Sequence, residues 1–474
     1  MAAAVALGVM TSVMGTAYAK ALKGAVTATW RTLPGLLPLA DPSGPPALVV
    51  PAICTLGGAL IGALASNLPS VTMPDFIGSQ TSTTTSLPGV WPFLPRVLLL
   101  SLLTSTFGFS VGPEAPMVLA GGLVGSSFSK RLYGENDHAM ARTMAYVGAA
   151  GALTTFIGMP LAGAIFVLEI TRPSAGLTAG AHDALAPAVA ASVASLLTAK
   201  AVLAPAKPIG GHFVYAPIGD ALTGRAMAAV AISAGVGGAI LGTVFRLLVQ
   251  TYKRPMWPQA SDEETCETAR RWPYIRCGPR MRHTLVKASV GLAVGMVGLL
   301  FPQTLFWGEG SLQHVLDGQA TPLTSVWPWH GLPLASEAMA RRALVDPSRP
   351  FASPAEALKV GAAKLVAIAL ACAGGFPGGI IFPLFFCAAA FAHGAADVLV
   401  PAALVPVWVM CLMAATQASV TRTPLATVFM LGLSATCSVQ LSVLLPPVIV
   451  ASYVGVWAAQ ALSKDTFFPY EPKQ

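Results

Sequence analysis

Charged side chains are scarce in this sequence of 474 residues. Only 10% of the residues are Asp, Glu, Lys or Arg, whereas soluble globular proteins carry about 25%. A protein of 48.6 kDa cannot cover a water-facing surface with so few charges. The shortage excludes a soluble enzyme, a disordered regulator and a nucleic-acid-binding protein.

Cysteine is also sparse, and its arrangement excludes metal and redox motifs. The seven cysteines form no CxxC pair and no His–Cys cluster at metal-ligand spacing. The sequence contains no HExxH zinc motif and no paired intramembrane Asp, which disfavours an intramembrane enzyme. We therefore expect no enzymatic activity, no cofactor and no metal.

The formal net charge is +8, and many of the basic residues lie in a mixed-sign polar loop predicted for 251–287. In a chain with so few charges, this distribution indicates loop solvation and signals for membrane orientation. We expect no nucleic-acid partner.

Long apolar stretches fill most of the chain. Hydrophobic residues make up 54% of the sequence, and the mean hydropathy is +0.68. A membrane-spanning helix needs about 20 mostly apolar residues. Runs without Asp, Glu, Lys or Arg cover residues 143–168, 226–245, 288–308, 365–396, 398–421 and 423–463. Several fit neither one full span nor two, which predicts tilted, kinked or half-spanning helices in an all-α multi-pass protein of the lipid bilayer.

The N-terminal stretch 1–18 is apolar but lacks the basic segment that opens a signal peptide. We interpret it as the start of a helix.

Two pairs of landmarks indicate an internal repeat. Gly-Pro-Glu-Ala-Pro at 112–116 and Gly-Gly-Ile-Ile-Phe-Pro at 378–383 both precede apolar runs. Pro-Leu-Ala occurs at 160–162 and again at 424–426. The two pairs share nearly the same offset along the chain, which predicts a duplicated unit. We place the first membrane repeat at residues 1–215 and the second at residues 216–474.

The matching Gly/Pro loops predict an anion pathway. In transporters built from two repeats, Gly/Pro-interrupted helices at matching positions mark the substrate site. A helix that opens at such a loop presents unpaired backbone N–H groups and the positive end of its dipole. These groups attract anions without burying a full positive charge in the bilayer.

Glu114 lies at one of these predicted helix starts. A lone carboxylate inside a membrane is costly unless it is functional or paired. The same backbone amides that attract an anion would stabilise its charge. We therefore predict a gate: swung in, Glu114 plugs the anion site, and swung out or protonated, it opens the site. The alternative is a helix-capping carboxylate at the membrane surface.

Four segments resemble the chloride channel (CLC) family of anion channels and anion/proton exchangers. They are GFSVGPEAP at 108–116, GAAGA at 148–152 with PLAG at 160–163, GGFPGGIIFP at 374–383, and TPL at 423–425. The resemblance covers essentially the whole chain and implies a homodimer of tilted helices in two inverted repeats. It also implies transport of chloride or a similar small anion. Implied anion-binding residues are Gly112, Glu114, Ala115, Gly379, Ile380 and Ile381. Because the chain ends at Gln474, we expect no cytoplasmic regulatory domain.

Departures from the family pattern decide the expected mode of transport. Pro113 replaces a common Arg and lacks an N–H, so we expect weaker outer anion binding. Ile170 occupies the position of the family's proton-relay acid, and isoleucine cannot carry a proton. The resemblance therefore favours a passive chloride-type channel gated by Glu114. The alternative is a proton-coupled antiporter of chloride, nitrate or fluoride. We expect a structural role for Glu169, paired with Arg172.

The central and inner positions leave alternatives open. Val71 aligns with the family's central anion-coordinating serine, and hydroxyl residues Ser70 and Thr72 flank it. Selectivity among anions therefore stays open. Spacing places Phe468 at the family's pore tyrosine, whereas Tyr470 lies two residues further on.

Overall fold

The computed structural model describes residues 1–32, 49–67, 71–81, 86–171, 179–203, 213–216, 224–257, 278–318, 351–435, 440–463 and 467–468. All regular secondary-structure elements in these ranges are helices. The first eight are α1 (Ala2–Thr27), α2 (Val49–Ala65), α3 (Met73–Thr81), α4 (Val90–Thr106), α5 (Glu114–Tyr133), α6 (His138–Ile157), α7 (Pro160–Thr171) and α8 (Ala179–Leu203). The next eight are α9 (Gly224–Met256), α10 (Pro279–Leu300), α11 (Glu309–Leu316), α12 (Pro354–Ala373), α13 (Ile381–Leu399), α14 (Val405–Thr421), α15 (Pro424–Ser434) and α16 (Leu441–Leu462).

Local capping residues explain several helix boundaries. The Asp137 side chain accepts a hydrogen bond from the Met140 amide at 2.9 Å and so caps the start of α6. That helix ends at Gly158, whose φ of 71° is left-handed. Ser353 accepts a hydrogen bond from the Glu356 amide and caps α12, which has proline at its first position.

The polar loop predicted for 251–287 is shorter in the structure, because the end of α9 and the start of α10 lie inside it. Lys253 and Arg254 occupy the last turn of α9, where cations complement the negative end of the helix dipole. Pro279 opens α10, and residues 258–277 lie outside the described part. The prediction was wrong at both ends because charged residues occur in terminal helix turns as well as in loops.

Seven of the described helices are long and apolar enough to cross a membrane: α1, α8, α9, α10, α13, α14 and α16. Large apolar side chains are exposed on their surfaces, for example Leu197, Leu300 and Val398. Water would disfavour such surfaces, whereas lipid accepts them. The chain is therefore an integral, multi-pass membrane protein.

Two short helices confirm the prediction of half-spanning elements. α7 has 12 residues and α15 has 11. At a rise of 1.5 Å per residue they are about 18 and 16 Å long, whereas the hydrocarbon core is about 30 Å thick. They begin at Pro160 and Pro424, the second pair of predicted landmarks.

The helices form two series, α1–α8 and α9–α16, and helices at matching positions in the two series have matching packing partners. α1 packs on α6 and α8, and α9 packs on α14 and α16. The contacts of α2 with α10, and of α7 with α15, join helices of equal rank in the two series. This is the arrangement expected of two inverted repeats. The division between residues 215 and 216 stays a prediction.

Glycines permit close contact between neighbouring helices. A Cβ on Gly121 or Gly125 of α5 would overlap backbone carbonyl groups of Gly148 or Met144 in α6. Small residues allow helix backbones in a membrane to approach and pack. The close packing fixes the direction of α5 and therefore the position of its first residue, Glu114.

Candidate anion site

Two loops from the predicted repeats meet beside the starts of α5 and α13. Gly112 and Gly379 form a β-bridge, with the Gly112 amide donating to the Gly379 carbonyl at 2.8 Å and the Gly379 amide donating back at 2.5 Å. The rings of Phe109 and Phe376 stack with centroids 3.8 Å apart. These contacts hold the two helix starts together.

Glu114 is the first residue of α5, and only 1% of it is exposed. Its carboxylate lies against both bridge glycines, since a Cβ added to Gly112 or Gly379 would overlap it. Neither carboxylate oxygen has a hydrogen-bond partner in the part of the chain that the structure describes. The backbone amides that act electrostatically on it are those of Glu114 itself and of Phe382. The carboxylate therefore occupies the position predicted for an anion.

The predicted anion-binding residues fall into two groups. Glu114 and Ala115 begin α5, while Ile380 caps α13 and Ile381 is its first residue. Gly112 and Gly379 differ, because the amide of each donates to the carbonyl of the other. In this conformation those amides are not free for an anion, and the glycines make room for the Glu114 carboxylate instead.

Phe382 is a site residue that sequence reasoning missed. Its amide, the second of α13, faces the Glu114 carboxylate. The sequence could have indicated Phe382, because the first four amides of any helix lack intrahelical partners. The prediction stopped one residue short by following the family's loop.

Two buried lysines also support the site. Lys287 of α10 donates to the carbonyls of Gly374 and Gly375 at 2.8 and 2.5 Å, and its ammonium lies 4.4 Å from the centre of the Phe376 ring. These carbonyls lie just beyond the end of α12, where a cation is favoured. Lys364 of α12 donates to the carbonyls at 304 and 306 at 2.9 and 2.7 Å.

Neither ammonium pairs with a carboxylate within the described ranges. Their hydrogen bonds join α10 and α12 to the segments around the site. Sequence reasoning missed both lysines because each borders an uncharged run and looks like a membrane-surface residue.

Ser110 packs the first loop. Residues 108–112 match the Gly-x-Ser-x-Gly pattern that surrounds the nucleophilic serine of some hydrolases. Here, however, the Ser110 hydroxyl is buried and donates a hydrogen bond to the Thr304 carbonyl. The hydroxyl thus joins the loop to the segment before α11.

The residue predicted for the central position has an apolar side chain. Val71 is buried in the largest apolar cluster. The Thr72 hydroxyl donates to the Asp75 carboxylate at 2.6 Å, and the Thr72 amide bonds to the same oxygen at 2.9 Å. Thr72 is therefore engaged in capping α3. Ser70 lies outside the described residues.

The residue predicted for the inner relay position is also apolar. Ile170 is buried in the same cluster as Val71. The half-buried Glu169 accepts hydrogen bonds from the amides of Leu425 and Ala426 at 3.0 and 2.7 Å, and so caps the start of α15. This is the structural role expected of Glu169, although the partner is a helix start on the other repeat. Arg172 lies outside the described residues.

Phe468 is half-buried, packs against the largest apolar cluster, and contacts the ring of Phe467 edge-on with centroids 5.0 Å apart. Tyr470 lies outside the described residues, so the choice between these two residues at the inner gate stays a prediction.

A buried carboxylate facing helix starts from two halves of a multi-pass helical fold defines a membrane transport protein for anions. The family model "Voltage gated chloride channel" matches residues 57–460, and the chain belongs to this family, the CLC family of anion-transport proteins. It is not an enzyme.

A relative in sequence is also named as an ion-transport protein. "Putative ion-transport protein YfeO" of Salmonella schwarzengrund (strain CVM19633) is 24% identical over 364 residues, which cover 76% of this chain and 71% of the relative.

Two solved structures share the fold. A slow cyanobacterial Cl⁻/H⁺ antiporter aligns with a TM-score of 0.70 at 19% identity, over 99% of this chain and 96% of the other. A CLC-type fluoride/proton antiporter aligns with a TM-score of 0.65 at 19% identity, over 98% and 96% of the two chains.

Proposed function

We propose that the chain exchanges a small anion, chloride in the first instance, for protons, and that Glu114 takes part in both movements. The observation that carries the proposal is the buried Glu114 carboxylate, which has no hydrogen-bond partner among the described residues and faces the start of α13.

The chemistry of one carboxylate links the two ions. When ionised, Glu114 competes with an anion for the amides at the starts of α5 and α13. When protonated, it loses its charge and the competition ends. Each cycle of anion entry and exit then favours uptake and release of one proton by the same side chain.

Structural relatives support exchange over the passive mode that the sequence favours. The cyanobacterial and fluoride-transporting relatives are both antiporters, and they share this fold over nearly the whole chain. Because these relatives exchange chloride and fluoride, both anions are candidate substrates, and nitrate is the third.

Passive conduction is the second candidate, and Ile170 is the observation that favours it. This side chain is buried among apolar residues at the position of the family's inner relay acid. A proton that crosses the protein would need water or another acid at this place.

A flux assay in liposomes that contain the purified protein distinguishes exchange from passive conduction. A chloride gradient is imposed, a potassium ionophore clamps the voltage, and an electrode records external pH. Exchange predicts proton movement against the proton gradient. Passive conduction predicts chloride flux without proton movement, and that result would overturn the proposal.

Glu114→Gln identifies the residue responsible. We expect faster chloride flux, no coupled proton movement and a flat dependence on pH, because glutamine keeps the size but cannot ionise. Glu135→Gln is the matched control, since Glu135 is exposed just beyond the end of α5. Repeating the assay with nitrate and fluoride ranks the anions.

We also propose a homodimer, as the family implies. α8 and α16 leave large apolar side chains such as Leu197 and Trp457 exposed, and these faces suit lipid or a second copy. Counting photobleaching steps of singly labelled protein in liposomes tests this: two steps are expected, and a single step in nearly all particles would refute it.

A further inference from the structure

The Glu114 carboxylate needs a route to water before it can exchange protons. The residue is 1% exposed, and glycines 112 and 379 close around its carboxylate. A buried acid exchanges protons quickly only through a neighbouring carrier or water.

An open cavity of about 260 Å³ lies on the α1 side of this gate. Residues of α1, the end of α6 and the turn before α11 line it, and its polar members include Lys23, Thr155 and Glu309. This volume accommodates several water molecules, since each occupies about 30 Å³ in the liquid.

The segment before Glu309 is attached to the loop before Glu114. The Phe306 amide donates to the Gly108 carbonyl at 3.1 Å, and the Ser110 hydroxyl bonds to the Thr304 carbonyl. These bonds hold the approach to α11 alongside the approach to α5.

Glu309 has the properties of a proton carrier. It is half-buried in the cavity wall, and one carboxylate oxygen accepts a hydrogen bond from the Trp307 indole at 2.9 Å. An ionised Glu309 repels an ionised Glu114. Like charges disfavour the state in which both carboxylates are ionised at once.

Other charged and titratable groups surround the pair. Lys23 lines the cavity from α1, and the hydroxyl of Tyr18 acts on Glu114 from the same helix. Lys364 of α12 approaches the turn from the opposite side, since its ammonium would lie 3.3 Å from a Cβ added to Gly308.

We propose that Glu309 carries protons between the water of this cavity and Glu114, which makes it a second acid of the proposed exchange. A hydronium ion in the cavity gives a proton to the Glu309 carboxylate and becomes water. The Glu309 O–H bond then breaks as the Glu114 O–H bond forms, with water between the two carboxyl groups carrying the proton. The negative charge moves to Glu309, and the reverse steps release the proton.

Glu309→Gln tests the proposal, with Glu309→Asp as the variant that keeps an acid. Glutamine has the same size and its amide oxygen can still accept from Trp307. The first readout is coupled proton flux in the liposome assay. The second is the rate at which chloride flux rises after a sudden drop in pH on the cavity side, which does not depend on coupling.

We expect Glu309→Gln to slow both readouts by about a hundredfold, the lower end of the range for loss of a positioned proton carrier, and Glu309→Asp to recover much of the rate. Unchanged rates in Glu309→Gln would overturn the proposal, as would equal losses in both variants.

The inference rests on the proposed function, but the two fail differently. If the unmodified protein moves no protons against their gradient, exchange is refuted. The pH-jump rate still decides whether Glu309 supplies Glu114 with protons, because a passive channel gated by Glu114 needs the same step. Unaltered rates in Lys23→Gln, a variant in the same cavity, would show that losing an acid is what matters.

Discussion

Replacing Gly112 by alanine should open the anion site without altering the Glu114 side chain. The three atoms nearest to a Cβ at this position would be the terminal atoms of the Glu114 carboxylate. Gly112 is not among the described glycines with left-handed φ, so alanine fits its backbone. The flexible carboxylate must therefore swing away from the bridge while the fold is kept.

The size of the effect follows from what holds the carboxylate in place. An acidic group at a partly buried helix start gains about 1 to 2 kcal/mol from the helix. Loss of that energy changes the ratio of open to closed sites by about 5- to 30-fold. We expect chloride flux through Gly112→Ala to rise by a similar factor, up to the flux of Glu114→Ala.

Chloride efflux from liposomes measures this change, and Gly224→Ala is the control because a Cβ there meets nothing within 4 Å. The double variant Gly112→Ala/Glu114→Ala completes a mutant cycle. Its flux should equal that of Glu114→Ala, since no carboxylate remains to be displaced. Unchanged flux in folded Gly112→Ala, or fully additive effects of the two substitutions, would refute the reasoning.

Two further substitutions test the supports around the site. Lys287→Met should lower the free energy of unfolding by about 1 to 3 kcal/mol, because the carbonyls of Gly374 and Gly375 lose their donor; a thermal unfolding midpoint in detergent that matches that of Lys253→Met would contradict this. Glu169→Gln should lower the free energy of unfolding by about 0.5 kcal/mol, because it removes the negative charge at the start of α15. Chloride flux should stay unchanged. A large change in flux would give Glu169 a role in transport.

Sequence alone predicts the parts of this fold that are local. Pro160 and Pro424 each start a short helix, because proline suits the first helical position. Glu114 starts α5 because the Gly/Pro loop before it cannot continue a helix. Periodic apolar runs without charges predict the membrane helices in the same way.

The parts that sequence could not predict depend on contacts between distant segments. Glu169 caps a helix that begins 255 residues later, at Pro424. Lys287 and Lys364 each bind carbonyls on another segment, and Glu309 approaches Glu114 only because two loops are bonded together. Nothing in the spacing of these residues indicates such pairs, since the energy comes from satisfying buried polar groups in the packed fold.

Locating an anion in the Glu114→Gln variant tests the central claim most directly. Bromide has a strong anomalous X-ray signal and replaces chloride in most anion sites. The account predicts a bromide peak at the place of the Glu114 carboxylate, between Gly112 and Gly379 and facing the Phe382 amide. Bromide bound only elsewhere, in a variant that still transports it, would contradict the claim that this carboxylate stands in for the anion.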